Sequence, residues 1–583
     1  MLSKKLTGYL AALAGVLLIM LIAGGFALAA EKEELTPLEW SQLKWQDRLK
    51  EKKIVIRVKR FGGREWMEDK SLPSDVRNLR ERIHTGDVNT FWECYNISLF
   101  ETAYPEVYVK YVSYNPWSRE ATANLMAKMA AGNAPCAYCI LIPGEAMGAG
   151  LCADITDLVT EEWQNLHLKK ELIPFFKEYY WLGGRCYGIP LTALKIANLC
   201  YRKDYFKEAG IFNKKGEPGP PENWTWQDFR IIAKKLSDPK KQRWGAAYNT
   251  KDTVMSNYDY ITLYAVTHGW PISGVDRIVP WVLPDKTGKY TYKFDYIKPI
   301  AEAVKFFNEM RWEDNSLLVG RDVGSEFDAG RSATKFGGWV TDHFFNDCIF
   351  KPHKYSPVKE TKDILGIVSP PTSEYGIQPN GCYADPVMFD ATLDKEHLKA
   401  AFNWATWGLY GIGFQSLAIR DSQLQSVGVT NIGGYTLFKC LSSPYNLEVP
   451  YITTKVIDNI RKNFPEVMKR FEEMVKKGTS LPVFLSPKDY GLDFKNISAV
   501  HEEENMLRSY LLTKKNISMD AIKEEMEKAA DKINRKMLNY KVKGDREKWE
   551  AYFKAMDKFY KENYPKFYGT KDYEENFLNY FKF

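Results

Sequence analysis

The side chains best suited to bind a ligand in this chain of 583 residues are aromatic rings on predicted loops. Trp339 follows Gly337 and Gly338, which let the backbone approach a ligand closely, and Trp270 precedes Pro271. A flat apolar ring stacks on the face of a sugar ring, whereas carboxylates, amides and guanidinium groups form hydrogen bonds with its hydroxyls. Such rings suit a carbohydrate ligand, but a lone tryptophan is more often a core residue, so these residues do not by themselves assign the function.

Five further candidate binding residues lie beside predicted strands and helices: Tyr260, Arg64, Glu145, Tyr383 and Asp385. Tyr260 precedes an apolar helix, so its alternative is a place in the core. Arg64 and Glu145 each follow a predicted strand, and the ligands of doubly wound sheets bind beyond the carboxyl ends of the strands. Tyr383 and Asp385 lie where the chain is predicted to return to its first lobe. For the charged residues, a solvated surface position is the alternative.

The elements that position these side chains are predicted by turn and capping signals. The pair Gly183-Gly184 predicts a hairpin, and the apolar run from Ile196 to Tyr201 predicts a strand. A helix that follows ends at Gly210, and the next begins at Thr225, where Asp228 completes a capping box. Strands separated by helices elsewhere in the chain are typical of a parallel, doubly wound sheet.

This order of hairpin, strand, helix and capped helix resembles the crossing strand of family 1 extracellular solute-binding proteins, the receptors of ABC transporters. Further motifs in the family's order are Leu99 to Val107, Met129 to Pro135, Phe327 to Ala333, Gly337 to Trp339, Leu365 to Pro371 and the helix from Glu396 to Trp407. The resemblance spans roughly residues 54 to 410. Each motif is short, but their shared order makes the resemblance specific.

The resemblance implies an α/β protein with the two-lobed type II periplasmic-binding-protein fold, in which each lobe is a doubly wound sheet. It makes Trp339 the best stacking candidate. The domains expected are a signal peptide (1–29), lobe 1 in two parts (52–192 and 382–450), lobe 2 (200–381), and a segment that completes lobe 2 and adds a helical C-terminal extension (451–583).

The N-terminus predicts export. Lys4 and Lys5 precede an apolar run, and Ala27-Leu28-Ala29 supplies the small residues that a signal peptidase recognises. The expected location is the periplasm or the extracellular face of the cytoplasmic membrane. The run from Tyr9 to Ala30 is 22 residues long, so an uncleaved membrane anchor stays an alternative. No Cys follows the cleavage region, which disfavours a lipoprotein.

Charge and motifs disfavour other functional classes. Loss of the two N-terminal lysines lowers the formal charge from +7 to +5, which is too mild and too evenly spread for a nucleic-acid partner. The sequence has no Gly-x-Ser-x-Gly elbow, no His-Glu-x-x-His motif and no Walker loop, so an enzyme is not expected. No cofactor is expected either.

The cysteines leave two interpretations open. Their number, nine, is odd, so at least one thiol is unpaired. Cys136 and Cys139 lack a second pair or a histidine cluster that would complete a zinc site. Buried thiols are favoured, whereas a disulfide of Cys136 or Cys139 with Cys186 or Cys152 stays open.

The function implied by the resemblance is that of a monomeric substrate-binding subunit of an ABC importer. It would capture a carbohydrate, most readily an oligosaccharide, by closing two lobes and would then deliver it to membrane permease subunits. The hinges expected lie near Thr192 to Leu199, Cys382 to Met388 and Tyr445 to Tyr451. A peptide or polyol ligand, and a membrane-anchored sensor or interaction protein with the same fold, are the alternatives.

Overall fold

The structure is a computed structural model, and it describes part of the chain. The described residues are 54–58, 97, 100–112, 114–116, 121–140, 146–147, 149–165, 181–182, 185–190, 195–196, 198–249, 260–270, 282–284, 292–320, 323–337, 344, 347–348, 353–377, 382–383, 386–409, 462, 465, 510–537 and 546–582. Within these ranges, no helix combines the length and the apolar character needed to cross a membrane. The N-terminal segment and the change of lobe expected near residue 450 lie outside them.

The strands of the described residues are short. In chain order they are β1 (Ile54–Val58), β2 (Val107–Tyr111), β3 (Ala137–Tyr138), β4 (Trp181–Leu182), β5 (Arg185–Cys186), β6 (Gly188–Pro190), β7 (Lys195–Ile196), β8 (Asn198–Arg202), β9 (Ala246–Asn249), β10 (Val282–Pro284), β11 (Tyr292–Phe294), β12 (Leu317–Gly320), β13 (Thr334–Gly337), β14 (Leu365–Val368), β15 (Cys382–Tyr383) and β16 (Pro386–Phe389).

The helices alternate with these strands and then continue alone at the C-terminus. They are α1 (Ala121–Ala130), α2 (Thr156–Asn165), α3 (Lys203–Glu208), α4 (Trp226–Leu236), a 3-10 turn (Pro239–Lys241), α5 (Tyr260–Thr267), α6 (Lys298–Trp312), α7 (Val323–Asp328), α8 (Thr361–Ile364), α9 (Lys395–Leu409), α10 (Met519–Met537), α11 (Arg546–Asn563), α12 (Lys571–Tyr573), a π-helical turn (Glu574–Leu578) and α13 (Asn579–Phe581).

The first lobe is built on a five-stranded sheet in the order β2-β1-β3-β16-β6. β1 is parallel to both β2 and β3, whereas β16 is antiparallel to its neighbours β3 and β6. The sheet therefore takes its fourth strand from a part of the sequence that is about 250 residues beyond β3.

Two apolar clusters cover the two faces of this sheet. Ala137 and Phe389 belong to one cluster, while their neighbours Tyr138 and Met388 belong to the other. Because successive side chains of a strand point to opposite faces, the clusters lie on opposite sides. Trp404 of α9 packs in the first cluster and Leu125 of α1 in the second, so helices cover both faces, as a doubly wound sheet requires.

The second lobe has its own core. Its central strand, β8, is antiparallel to both β13 and β14, and a separate parallel pair joins β9 to β12. Helices α4, α5 and α6 supply buried side chains such as Phe229, Ile261 and Phe307 to one continuous cluster. The two-lobed type II architecture expected from the sequence is confirmed.

Local sequence signals act as expected at the start of this lobe. Gly210 ends α3 with a φ of +66°, and the amide of Ile211 donates to the carbonyl of Phe206. The capping box at Thr225 is complete, because its hydroxyl accepts from the amide of Asp228, whose carboxylate accepts from the Thr225 amide. The predicted hairpin at Gly183-Gly184 joins β4 to β5.

The C-terminal helices pack against the second lobe. Met526 of α10, Tyr560 of α11 and Phe577 are fully buried within the core cluster of that lobe. Polar contacts fix the docking geometry, since the side-chain amide of Asn308 on α6 donates to the carbonyl of Leu511 over 2.7 Å. The described C-terminal helices are thus part of the lobe's core and not a separate unit.

The turn that ends α5 is the centre of this contact. Gly269 has a φ of +90°, and a side chain there would overlap with the ring of Phe567. The Tyr560 hydroxyl donates to the Gly269 carbonyl over 3.2 Å, and the Asn576 side chain donates to the carbonyl of His268 over 2.7 Å. The His268 ring stacks on Tyr264, with ring centroids 3.9 Å apart.

The enclosure of His268 makes the stability of this lobe sensitive to pH. Burial lowers the pKa of His268, although the carbonyl of Tyr264 and the charges of Glu374 and Asp572 oppose this and Lys298 reinforces it. Because the unfolded chain binds the proton more tightly, the neutral ring stabilises the fold above a pH of about 6.5, and this stability falls as the pH drops towards the native pKa.

We expect His268→Asn to weaken the pH dependence of the free energy of unfolding below pH 6.5, by up to about 1.4 kcal/mol for each pH unit. The asparagine amide can replace the hydrogen bond to Tyr264, which limits other effects. Urea unfolding between pH 5 and pH 8 measures the difference, with His353→Asn, at an exposed position, as the control. Parallel pH profiles of the wild type and His268→Asn would contradict the prediction.

Candidate functional site

The two lobes are connected by a short antiparallel ribbon. One passage runs from β6 in the first sheet through β7 to β8, and the other returns from β15 to β16. Within the ribbon, the backbone of Ile196 lies opposite Cys382 and that of Lys195 opposite Tyr383. Where the passages join the first sheet, Pro190 lies opposite Pro386. The ribbon therefore crosses directly from the edge of the first sheet to the central strand of the second.

The strands that precede Arg64 and Glu145 in the sequence end on the side of the first sheet from which the ribbon leaves. β3 runs antiparallel to β16 and parallel to β1, so the carboxyl ends of β1 and β3 lie on the same side as the start of β16. Arg64 follows β1 by six residues and Glu145 follows β3 by seven. Both residues, like Asp385 just before β16, are themselves outside the described residues.

A strand of the second lobe ends on the opposite side of the ribbon. Gly337, the last residue of β13, lies opposite Asn198, the first residue of β8. Trp339 is two residues further along the chain and lies outside the described residues. Tyr383 lies on the ribbon itself, where the structure describes its backbone. The described ends of β1, β3 and β13 and the start of β16 therefore lie beside the ribbon that joins the lobes.

Two sequence-predicted residues have a different location. Tyr260 is 2% exposed and packs between Phe307 and Phe336, with ring centroids 5.4 Å and 5.1 Å away. Trp270 is fully buried against Tyr580 and Phe581 of the C-terminal helices. Neither ring leaves a face open to a ligand. The expectation that these rings bind ligand is therefore corrected, because the aromatic core of the second lobe takes up both faces.

Sequence reasoning missed a group of paired charges beside β13. We call Asp328, Lys335, Asp347, Lys354 and Tyr355 the ion cluster. Asp347 and Lys335 are 2% and 1% exposed, whereas the Asp328 side chain is 38% exposed. The Lys354 ammonium lies 2.6 Å from a carboxylate oxygen of Asp328 and 2.9 Å from one of Asp347. The Tyr355 hydroxyl donates to Asp328 and Asp347 over 2.7 Å and 3.2 Å.

The charges of this cluster support one another. Burial raises the pKa of Asp328, but hydrogen bonds from Lys354 and Tyr355 outweigh this and hold it below its usual value. Burial lowers the pKa of Lys354, but its hydrogen bonds to Asp328 and Asp347 outweigh this and raise it. Lys335 contributes through its position 3.9 Å from Asp328 and 4.7 Å from the centre of the Phe327 ring. A lysine in the middle of the strand Thr334–Gly337 is the sequence signal that points to such a cluster.

The described cysteines are structural. Cys136, Cys139, Cys152, Cys186, Cys200 and Cys348 are buried free thiols, so none of the disulfides left open by the sequence is present among them. Burial raises the pKa of both Cys152 and Cys186 to about 12, which keeps them protonated and unreactive. Among the described residues, no group of three or more His, Cys, Asp or Glu side chains could hold a metal ion.

Comparison with known proteins supports the family resemblance. Residues 91–276 match the family model of the bacterial extracellular solute-binding proteins. A comparison with curated proteins found no match.

Solved structures with the same fold come from several bacteria. An ABC substrate-binding protein from Listeria monocytogenes in complex with cycloalternan is 16% identical with a TM-score of 0.50, and the match covers 83% of this chain and 98% of that one. An ABC transporter solute-binding protein from Agrobacterium vitis S4 with bound D-mannitol is also 16% identical with a TM-score of 0.50, over 84% and 99% of the two chains. These similarities establish the fold.

The burial of Trp270 generates a stability prediction. Trp270→Ala removes a fully enclosed ring, and we expect the free energy of unfolding to fall by about 3 to 5 kcal/mol. Phe212→Ala, at a side chain that is 48% exposed, is the control and should cost about 0.5 kcal/mol or less. Urea unfolding of both variants measures the difference. Equal, small losses would show that Trp270 is not a core residue.

Proposed function

We propose that this protein is a receptor that binds a carbohydrate between its two lobes. The proposal builds on the confirmed resemblance to bacterial extracellular solute-binding proteins, whose family model matches residues 91–276. We further propose that the ligand is an oligosaccharide. The receptor would be an exported monomer whose N-terminal segment acts as the export signal. It would pass the ligand to the permease subunits of an ABC importer. No chemical step is involved, so neither a catalytic residue nor a cofactor is required.

The observation that carries the proposal is the position of the connecting ribbon. Strands of both lobes end beside it, since Gly337 of β13 lies opposite Asn198 and Pro190 of β6 lies opposite Pro386. Ligands of open α/β sheets bind beyond the carboxyl ends of the strands, and a crevice between two such edges can enclose a ligand from both sides. Five residues remain in the proposed site: Trp339, Arg64, Glu145, Tyr383 and Asp385.

The roles of these residues follow from their chemistry. The Trp339 ring would stack on a sugar ring and exclude water from that face. Arg64 would donate paired hydrogen bonds to neighbouring hydroxyls, while Glu145 and Asp385 would accept hydrogen bonds from others. Tyr383, on the ribbon, would contact a ligand in the centre of the crevice. Tyr260 and Trp270 are omitted because the core encloses them.

The mechanism proposed is closure of the lobes about the ribbon. Among the described residues, two residue pairs connect β7 with β15, so small changes of backbone angle there can rotate one lobe relative to the other. A ligand favours the closed form to the extent that it contacts both lobes at once, because only then does it bind that form more tightly. The closed form would be the one that the permease recognises.

A thermal-shift screen tests the proposal on protein expressed with its own N-terminal segment. The probes are maltotriose, cycloalternan, glucose, D-mannitol and a tripeptide. A ligand at 100 times its dissociation constant stabilises the fold by about 2.7 kcal/mol, which raises the melting temperature measurably. We expect an oligosaccharide to produce this shift, Trp339→Ala to weaken its binding at least tenfold, and Trp339→Phe, which keeps an aromatic face, to weaken it less.

Other outcomes separate the alternatives. Stabilisation by the tripeptide or by D-mannitol alone would replace the carbohydrate with a peptide or a polyol. No stabilisation by any probe would contradict the receptor function proposed here and would favour a sensor or interaction protein. N-terminal sequencing of the same preparation distinguishes a cleaved protein beginning at Ala30 from an anchored one beginning at Met1.

A further inference from the structure

Three basic side chains meet two aromatic rings where the segment before α10 packs on the end of α6. We call Arg311, Trp312, Tyr510, Lys514 and Lys515 the basic–aromatic patch. The Arg311 guanidinium lies 4.7 Å from the centre of the Trp312 ring, and the Lys515 ammonium lies 5.1 Å from the same ring. The Lys514 ammonium lies 3.6 Å from the centre of the Tyr510 ring. The negative faces of the two rings therefore attract all three cations.

Hydrogen bonds fix the two halves of the patch relative to each other. The Trp312 indole donates to the carbonyl of Leu512 over 3.2 Å, and the Asn308 side chain donates to the carbonyl of Lys514 over 2.6 Å. Leu512 is fully buried, whereas Tyr510 is 43% exposed. The patch is therefore anchored in the core of the second lobe and reaches the solvent.

The positive charge of the patch is not neutralised by the described residues, since none of its three cations forms an ion pair with them. The acidic residues nearest to Arg311 in the sequence are Glu309, Glu313 and Asp314, and all three pair with Arg230 instead. Burial lowers the pKa of Arg311, and no described charge offsets this. Its Nη1 atom is buried without a hydrogen-bond partner among the described residues. Such a donor is unfavourable, so an external carboxylate that turns the guanidinium outward would remove this cost.

The patch lies on the side of the second lobe that faces away from the ribbon. α6 ends at Trp312, and the chain then enters β12 at Leu317. β12 is parallel to β9, and the bridge between Trp244 and Ser332 makes β9 parallel to β13. Because β13 ends beside the ribbon, the patch lies near the opposite, amino end of these strands. A partner bound there does not compete with a ligand between the lobes.

We propose that the basic–aromatic patch binds an acidic segment of a partner protein, with Arg311 and Trp312 as the central contacts. Trp, Tyr and Arg are enriched among the side chains that carry most of the binding energy of protein interfaces. The arginine fork can donate two parallel hydrogen bonds to one carboxylate. Recognition of an anionic lipid surface typically takes about four to eight basic residues, whereas the patch has three. The inference goes beyond the proposed function and does not depend on it.

Fluorescence anisotropy with the full-length protein tests this inference. The probe is a labelled peptide of alternating Asp and Glu, and a peptide of alternating Asn and Gln is the neutral control. We expect the acidic peptide alone to bind, and to bind less tightly as the salt concentration rises. Arg311→Gln should raise its dissociation constant about tenfold or more. Lys515→Gln, at an exposed position, should raise it about threefold and keeps the test valid if Arg311→Gln folds poorly.

Lys214→Gln is the matched control. Lys214 is an exposed lysine of the same lobe that forms no ion pair with the described residues, so the substitution removes the same charge at a different place. It should leave the affinity for the acidic peptide unchanged. Equal losses of affinity in the Lys214 and Lys515 variants, or no binding of the acidic peptide, would overturn the inference. Tighter binding to phosphatidylglycerol vesicles than to the peptide would also overturn it, in favour of a membrane surface. The experiment uses no carbohydrate, so its result is separate from that of the thermal-shift screen.

Discussion

The antiparallel pairing of β7 with β15 is the constraint on which the rest of the structure depends. Both described passages between the lobes run through this ribbon, and the ribbon connects β6 and β16 of the first sheet to β8, the central strand of the second. A residue that contacts a ligand held between the lobes must therefore follow or precede a strand that ends beside the ribbon. The backbone pairing, and not any single side chain, decides where a binding site can form.

Local signals made much of this architecture predictable. Gly210 and the capping box of Thr225 and Asp228 each act over a few residues, and the structure contains them as the sequence indicates. The tryptophan at 270 behaves differently, because the rings that enclose it belong to Tyr580 and Phe581, more than 300 residues away. Neither a loop position nor a following proline can reveal a contact so distant in sequence.

The candidate site, too, could be predicted only where it depends on local sequence. Strand ends could be predicted from periodicity, since each reflects its own short run of residues. The ion cluster could not, because Lys335 and Asp347 are ordinary surface residue types whose burial depends on the packing of separate segments. A lysine within an apolar strand is a weak signal by itself, and it gains meaning only when the carboxylates that neutralise it are located.

The order of strands in the first sheet has a consequence for how the chain can fold. β16 lies between β3 and β6, yet it is synthesised after most of the second lobe, and the core of that lobe is completed by helices near the C-terminus. The core of the first lobe draws on residues up to Trp407 and that of the second on residues up to Phe581, so in both lobes long loops must be closed late and at an entropic cost. Each core thus joins residues more than 300 positions apart, and a chain emerging during synthesis can complete neither lobe until these later strands and helices have been made.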